Sequence, residues 1–227
     1  MKSYLVLIVF FLNTLFSLAQ NDAGKYFIFL NRNPDRPVIS DDSAKKLQAG
    51  HMANMEALSQ QGKLISAGPF DNGGGIFVIV ANSVQDALNT VADDPTVKTR
   101  RFLLECFPLT LNYGDICKVE GEIKMVSYQF IRYRFNPEAK MPSPPAVRKI
   151  LEEHATYLSW LKGQGENPII CGDFGQWDGG FLIIDQPDAE KAGIIAGNDP
   201  LVKSGIYQPE VRKFWVAQGA YCETTGK

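Results

Sequence analysis

Hydrophobic and polar positions along the chain fall into two similar series of short segments. KYFIFLNR, residues 25–32, is a β-rich run, and VSYQFIRYRF, residues 126–135, is its later counterpart. Each is followed by an Asn-Pro turn and then by helical spacing. The first helix is predicted over about 41–61, with Gly62 just past its C-terminus. The second begins at Ser143, a credible N-cap, with Pro144 at the first helical position, where its missing N–H costs nothing. Leu47, His51, Met55 and Leu58 share one face of the first helix, as do Ile150, His154, Leu158 and Leu161 in the second. Two short strands follow, 63–67 and 76–81, with counterparts at 168–171 and 181–185. A second helix, about 84–92 and again 189–196, is broken by an Asp-Pro step. A last strand closes each series, 101–111 and 211–217.

Sliding the chain on itself shows that the likeness is a repeat. At an offset of about 103 residues Asn33-Pro34 meets Asn136-Pro137, His51 meets His154, and Gln61-Gly62 meets Gln164-Gly165. The second copy then gains about two residues, so Gly74-Gly75 meets Gly179-Gly180, Asp94-Pro95 meets Asp199-Pro200, and Cys117 meets Cys222. A period this long is not a solenoid repeat. It reads as two tandem domains, residues 23–121 and 122–227, joined at the polar stretch KVEGEIK. Each has the order β-α-β-β-α-β, the ferredoxin-like unit of the α+β class, with helices on one face of an antiparallel sheet. The bare face of each sheet needs a cover, and the expected cover is the other copy, giving an intrachain pseudo-dimer.

Residues 1–19 stand outside this pattern. Lys2 precedes an apolar run from Tyr4 to Leu12, and Ser17-Leu18-Ala19 places small residues before a cut after Ala19. This is the layout of a signal peptide and predicts a periplasmic or secreted protein. Asn13 and Thr14 cut the run short of the ~20 apolar residues that a membrane anchor needs, so no membrane association is expected after cleavage. In an oxidising compartment Cys106, Cys117, Cys171 and Cys222 can pair in three ways, and spacing does not choose among them.

Composition adds exclusions. A formal net charge of −2 and the lack of a Lys/Arg cluster argue against a nucleic-acid surface. The Gly73-Gly74-Gly75 turn opens a strand rather than a helix, unlike a phosphate-binding loop, so no cofactor is expected there. One His and one Asp per copy fall short of a zinc ligand set, so no metal is expected.

The chain has two histidines, and they occupy equivalent positions in the two copies. Each copy also has an aspartate at its Asp-Pro step. An Asp accepting from one ring nitrogen would fix the tautomer and raise the basicity of the other, forming a general acid/base pair. The competing reading of Asp-Pro is helix punctuation alone. Tyr26, Phe27, Phe70 and Phe77 are numerous enough to line an apolar pocket, though each singly reads as core.

On these residues the sequence resembles a tandem pair of YCII-related domains. The resemblance rests on the His51 helix, GKLISAGPF, the GGIFVIV strand and the Asp94-Pro95 step, over residues 25–111 and, more loosely, 126–217. It implies a dimeric α+β barrel fold and a site built from the His and the Asp before proline: His51 with Asp94, and His154 with Asp199. Most members of the family lack a known reaction, while a relative acts on chlorinated hydroxyquinol-type aromatics and muconolactone isomerases share the wider fold; for a catalytic couple the expectation is isomerase- or lyase-type chemistry without a tightly held cofactor. The second copy departs from the pattern where Ala67-Gly68-Pro69-Phe70 becomes Cys171-Gly172-Asp173-Phe174, which brings its site into question. Two functions stay open at this stage. One is a His/Asp acid–base enzyme on a small cyclic or carbonyl compound. The other is a non-catalytic exported protein that binds a small molecule or assembles, with further self-association left open.

Overall fold

The structure is a computed structural model that describes residues 23–119, 121–165, 168–175 and 178–222. The expected export segment, residues 1–19, lies outside these. The first half runs β1 (Gly24–Arg32), α1 (Asp41–Gln60), β2 (Leu64–Pro69), β3 (Gly75–Ala81), α2 (Val84–Val91), α3 (Pro95–Lys98) and β4 (Phe102–Tyr113), followed by the short β5 (Asp115–Ile116). The second runs β6 (Met125–Phe135), α4 (Pro144–Gly163), β7 (Pro168–Asp173), β8 (Gly180–Ile184), α5 (Ala189–Asn198), α6 (Pro200–Lys203) and β9 (Tyr207–Ala217), followed by β10 (Tyr221–Cys222). The fold is α+β, two ferredoxin-like units in tandem.

The halves do more than stack. Their strands join in one antiparallel eight-stranded sheet, ordered β2-β3-β1-β4-β7-β8-β6-β9, with β4 hydrogen-bonded to β7. Phe70 bridges Phe214, and Asp71 N–H donates to the Lys213 carbonyl at 3.1 Å, so the outer edges β2 and β9 also meet. This closes the sheet toward a barrel and leaves few edges open to other chains. Both seams need equivalent glycines. A Cβ on Gly68 would overlap the Trp215 carbonyl oxygen, and one on Gly172 would overlap that of Thr110.

Strand alternation then sorts the side chains into inside and outside. Phe27 and Phe29 on β1, Phe130 on β6, and Phe70, Phe174, Phe181 and Phe214 fill the barrel. Phe130 and Phe181 stack with centroids 5.6 Å apart, and equivalent Phe27 and Phe130 meet at 5.9 Å. Each such ring contributes roughly 1.5–3 kcal/mol by leaving water. The alternate residues, Ile28, Leu30, Phe77 and Ile79 in one half and Ile131, Tyr133, Leu182 and Ile184 in the other, face the helices. Phe27 and Phe70 are therefore barrel core, on the sheet face opposite any helix-side pocket, while Phe77 faces the helix layer.

The copies have diverged inside the barrel. Phe29 and Phe107 of the first half correspond to Arg132 and Arg212 of the second. The Arg132 guanidinium lies 3.9 Å from the Phe29 centroid and donates to Glu105 at 2.7 Å, and that of Arg212 lies 4.1 Å from Phe70. Cation–π contact and an ion pair thus replace what would be ring-on-ring packing in a symmetric pair.

Local signals hold with one exception. Gly62 takes φ 69° past the end of α1. Ser40 caps α1 by accepting from Ser43 N–H, whereas Ser143 occupies the N-cap position of α4 without a side-chain bond, so its hydroxyl adds nothing there. Cys117 and Cys222 form a disulfide beside the β5–β10 pair, with Cα atoms 6.0 Å apart, and Cys106 and Cys171 are free. No helix among the described residues is long and apolar enough to cross a membrane.

Candidate functional site

Each histidine projects from the middle of its long helix, α1 or α4, toward the short helix that the Asp-Pro step begins. Asp94 caps α3, accepting from Thr96 N–H at 2.8 Å, with Pro95 next in the helix; Asp199 caps α6 the same way through Leu201 N–H at 2.9 Å. Both readings of Asp-Pro therefore hold together, because a carboxylate has two oxygens and several lone pairs. His51 Nδ1 lies 2.7 Å from Asp94 Oδ2. His154 Nδ1 lies 2.8 Å from both oxygens of Asp199. Both carboxylates are fully buried, while the imidazoles keep 14% and 20% of their surface exposed. Each couple forms within its own half.

The remaining donors differ. Asp94 also accepts from Asn54 at 3.2 Å and from the Thr96 hydroxyl at 2.5 Å. In the second copy Tyr157 and Leu201 stand at those places, and Asp199 is served by the Tyr133 hydroxyl at 2.9 Å. Tyr133 corresponds to Leu30, so the second half moves its extra donor from helix and turn to strand. The repeat pattern does not single out these donors, because they differ between the copies. Two weaker signals do bear on them. Asn54 lies three residues from His51, one helical turn away, and a tyrosine on the helix-facing row of β6 is polar where its counterpart is aliphatic.

Ring contacts differ as well. His51 stacks on Phe77 with centroids 5.8 Å apart, and His154 meets Tyr133 edge-on at 5.9 Å. Burial opposes ionisation of Asp94, but the hydrogen bonds from His51 and Thr96 outweigh it and hold the carboxyl below the ordinary aspartate value near 3.8. Burial first, then the adjacent Asp199 carboxylate, pushes the Tyr133 phenol well up, so it stays a donor. A pH dependence follows with a definite sign. A depressed carboxyl contributes stability that is full above its unfolded value and is lost as pH falls through the folded one. Below about pH 4, wild type is expected to lose stability more steeply than Asp94→Asn, as urea midpoints across an acid series would show. Parallel curves would contradict this.

Beside His154 lies a cleft of about 390 Å³, lined by Tyr133, Leu151, Cys171, Asp173, Phe181 and, from the first half, Asn112, among others. The departure at Cys171-Gly172-Asp173 thus falls in the wall of a cleft. Burial pushes the Cys171 thiol up to about 11, which leaves it protonated and a poor nucleophile. Among the described residues no group of three or more His, Cys, Asp or Glu is placed to hold a metal ion.

Among solved structures the chain is similar to a protein provisionally named a chlorite dismutase, with TM-score 0.52 and 10% identity over 87% of this chain and 96% of that one. It is also similar to a mutant chlorite dismutase from Candidatus Nitrospira defluvii in complex with cyanide, with TM-score 0.51 and 11% identity over 88% and 92%. A heme-binding protein from Thermus thermophilus aligns over 86% of this chain and 90% of its own, with TM-score 0.46 and 13% identity. At such identities the likeness is one of fold. No curated protein sequence matches the chain. The family model of the YCII-related domain matches twice, over residues 25–102 and 129–214, each match holding one His–Asp couple. The chain belongs to the YCII-related domain family, with two copies in tandem.

Proposed function

We propose that the protein is an exported acid–base catalyst that works without a tightly held cofactor, isomerising a small cyclic compound or eliminating from a small carbonyl compound. The observation that carries this reading is the pairing of each partly exposed imidazole with a fully buried carboxylate at 2.7–2.8 Å, in one case beside a cleft. With Nδ1–H donating to the aspartate, Nε2 is the nitrogen left to take a proton from substrate. The resulting imidazolium is stabilised by the carboxylate and returns the proton to another substrate atom, so the ring ends as it began. Export is supported by the leader-like residues 1–19 and by the Cys117–Cys222 disulfide, which suits an oxidising compartment.

The test is proton exchange. Small cyclic ketones and lactones in D₂O, followed by ¹H NMR, are expected to lose specific C–H signals with wild type. His154→Ala is expected to slow this by about 10²–10⁴-fold, the usual range for general acid–base catalysis. Equal exchange in both proteins would remove His154 from the chemistry. A wild type that binds such compounds yet exchanges none would be a binding protein, the second reading left open by the sequence.

A further inference from the structure

We infer that the cleft beside His154 is selective for a small cationic amine on a ring, and that Asp173 and Asp178 set this preference. The inference rests on the acid–base reading of the same site and deepens it by naming a substrate class. It starts from the repeat. Asp173 stands where the first copy has Pro69, and Asp178 where it has Gly73. Both acids are therefore particular to the second copy. The first copy's rim bears the opposite sign, since a Cβ on Gly73 would lie 3.6 Å from the Arg32 side chain, and the position matching Arg32 is Phe135.

The Asp173 carboxylate is in the cleft wall, and among the described residues its hydrogen bonds carry no compensating charge. Asn112 Nδ2 donates to it at 3.2 Å and Gly175 N–H at 3.3 Å. Asp199, by contrast, is matched by His154, the Tyr133 hydroxyl and Leu201 N–H. Among the described residues that line the cleft there is no lysine or arginine. The field of these acids reaches the neighbouring walls. Burial and then Asp173 and Asp178 push the Tyr207 phenol up, and Asp173 adds to the burial that raises Cys171. A carboxylate ligand would meet like charge at close range in a partly desolvated space, whereas an ammonium would find a charge-assisted hydrogen bond. The Tyr133 ring, Leu151 and Leu201 supply apolar wall for a ring, and about 390 Å³ is enough for a small one.

Benzylamine, benzyl alcohol and benzoate are matched probes of this preference, read by calorimetry and by the ¹H–¹⁵N resonances of the His154 imidazole. Wild type is expected to bind benzylamine about tenfold or more tighter than benzoate, with the neutral alcohol between them. The double variant Asp173→Asn/Asp178→Asn is expected to erase the difference. If that protein does not fold, Asp178→Asn alone, at an exposed position next to the cleft-lining Gly179, is expected to reduce it. Benzoate binding as tightly as benzylamine, an unchanged preference in the variants, or no binding of benzylamine at millimolar concentration would each overturn the inference. The two readings fail separately. An amine preference that survives in a wild type inactive in proton exchange would leave the cleft as a binding site, and exchange without an amine preference would leave the catalyst with a different substrate class.

Discussion

Asp199→Ala is expected to destabilise the protein by about 1–3 kcal/mol for each buried donor it leaves unsatisfied. The carboxylate is fully buried and accepts from His154, the Tyr133 hydroxyl and Leu201 N–H at 2.8–2.9 Å. Alanine would leave all three donors facing a void, and Tyr133, itself 3% exposed, has no water to turn to. It would also uncap α6. Asp199→Asn separates the structural part from the chemical one. Its amide oxygen can still accept from Leu201 N–H, and its NH₂, standing where Oδ2 accepted from the Tyr133 hydroxyl, can donate to that hydroxyl instead, so most of the stability should remain. His154 Nδ1 meets both carboxylate oxygens at 2.8 Å, so in asparagine it keeps at most one acceptor and loses the negative charge that stabilises the imidazolium. Urea unfolding should therefore rank wild type, Asn and Ala in that order. Proton exchange in D₂O should fall in Asn by orders of magnitude, as expected where a buried Asp orients a catalytic His. An alanine variant as stable as wild type would show that the buried couple is not a structural element. An asparagine variant with full exchange would show that the carboxylate charge behind the imidazole does not matter.

The second large effect is expected from the disulfide. Cys117 and Cys222 are 105 residues apart in sequence, so their bond closes a loop spanning the entire second half. In the chain-entropy account a loop of this length restricts the unfolded chain by about 4–5 kcal/mol. Cys117→Ser/Cys222→Ser, or reduction of wild type, is expected to lower the thermal midpoint by roughly 10 °C for a protein of this size. Cys106→Ser, which breaks no cross-link, should shift it much less. The bond fastens β10 to β5, at the point where the chain leaves the first half for the second. A reduced protein unfolding at the same temperature and urea concentration would mean that the β4–β7 and β2–β9 seams alone hold the halves together.

Much of the fold can be read from the chain because its signals are local and appear twice. Strand alternation at 25–32 and 126–135, the helix stop at Gly62, and Asp-Pro at 94–95 and 199–200 depend on neighbours within a few residues. An offset that aligns His51 with His154 cross-checks each of them. The same repetition points to His51, Asp94, His154 and Asp199 without any distance being known. A histidine and an aspartate present in both of two otherwise divergent copies are hard to ascribe to packing alone. Aromatic residues are less legible. Phe27, Phe70 and Phe77 look alike in sequence, but a shift of one strand position decides whether a ring enters the barrel or the helix layer.

Local patterns in the chain were enough for the two β-α-β-β-α-β units, their α+β class, the equivalence of the histidines, and the helix punctuation at each Asp-Pro step. These follow from short-range periodicity and steric rules that any segment carries with it. Other features emerge only when the chain closes on itself. The sheets join edge to edge through β4–β7 and β2–β9, Cys117 pairs with Cys222, and Arg132 stacks on Phe29. Tyr133 completes the second carboxylate, and Asp173 comes to the wall of the His154 cleft beside Asn112 of the other half. Each of these joins residues from distant parts of the chain, and such contacts are set by the geometry of closing the sheet, which no local pattern encodes.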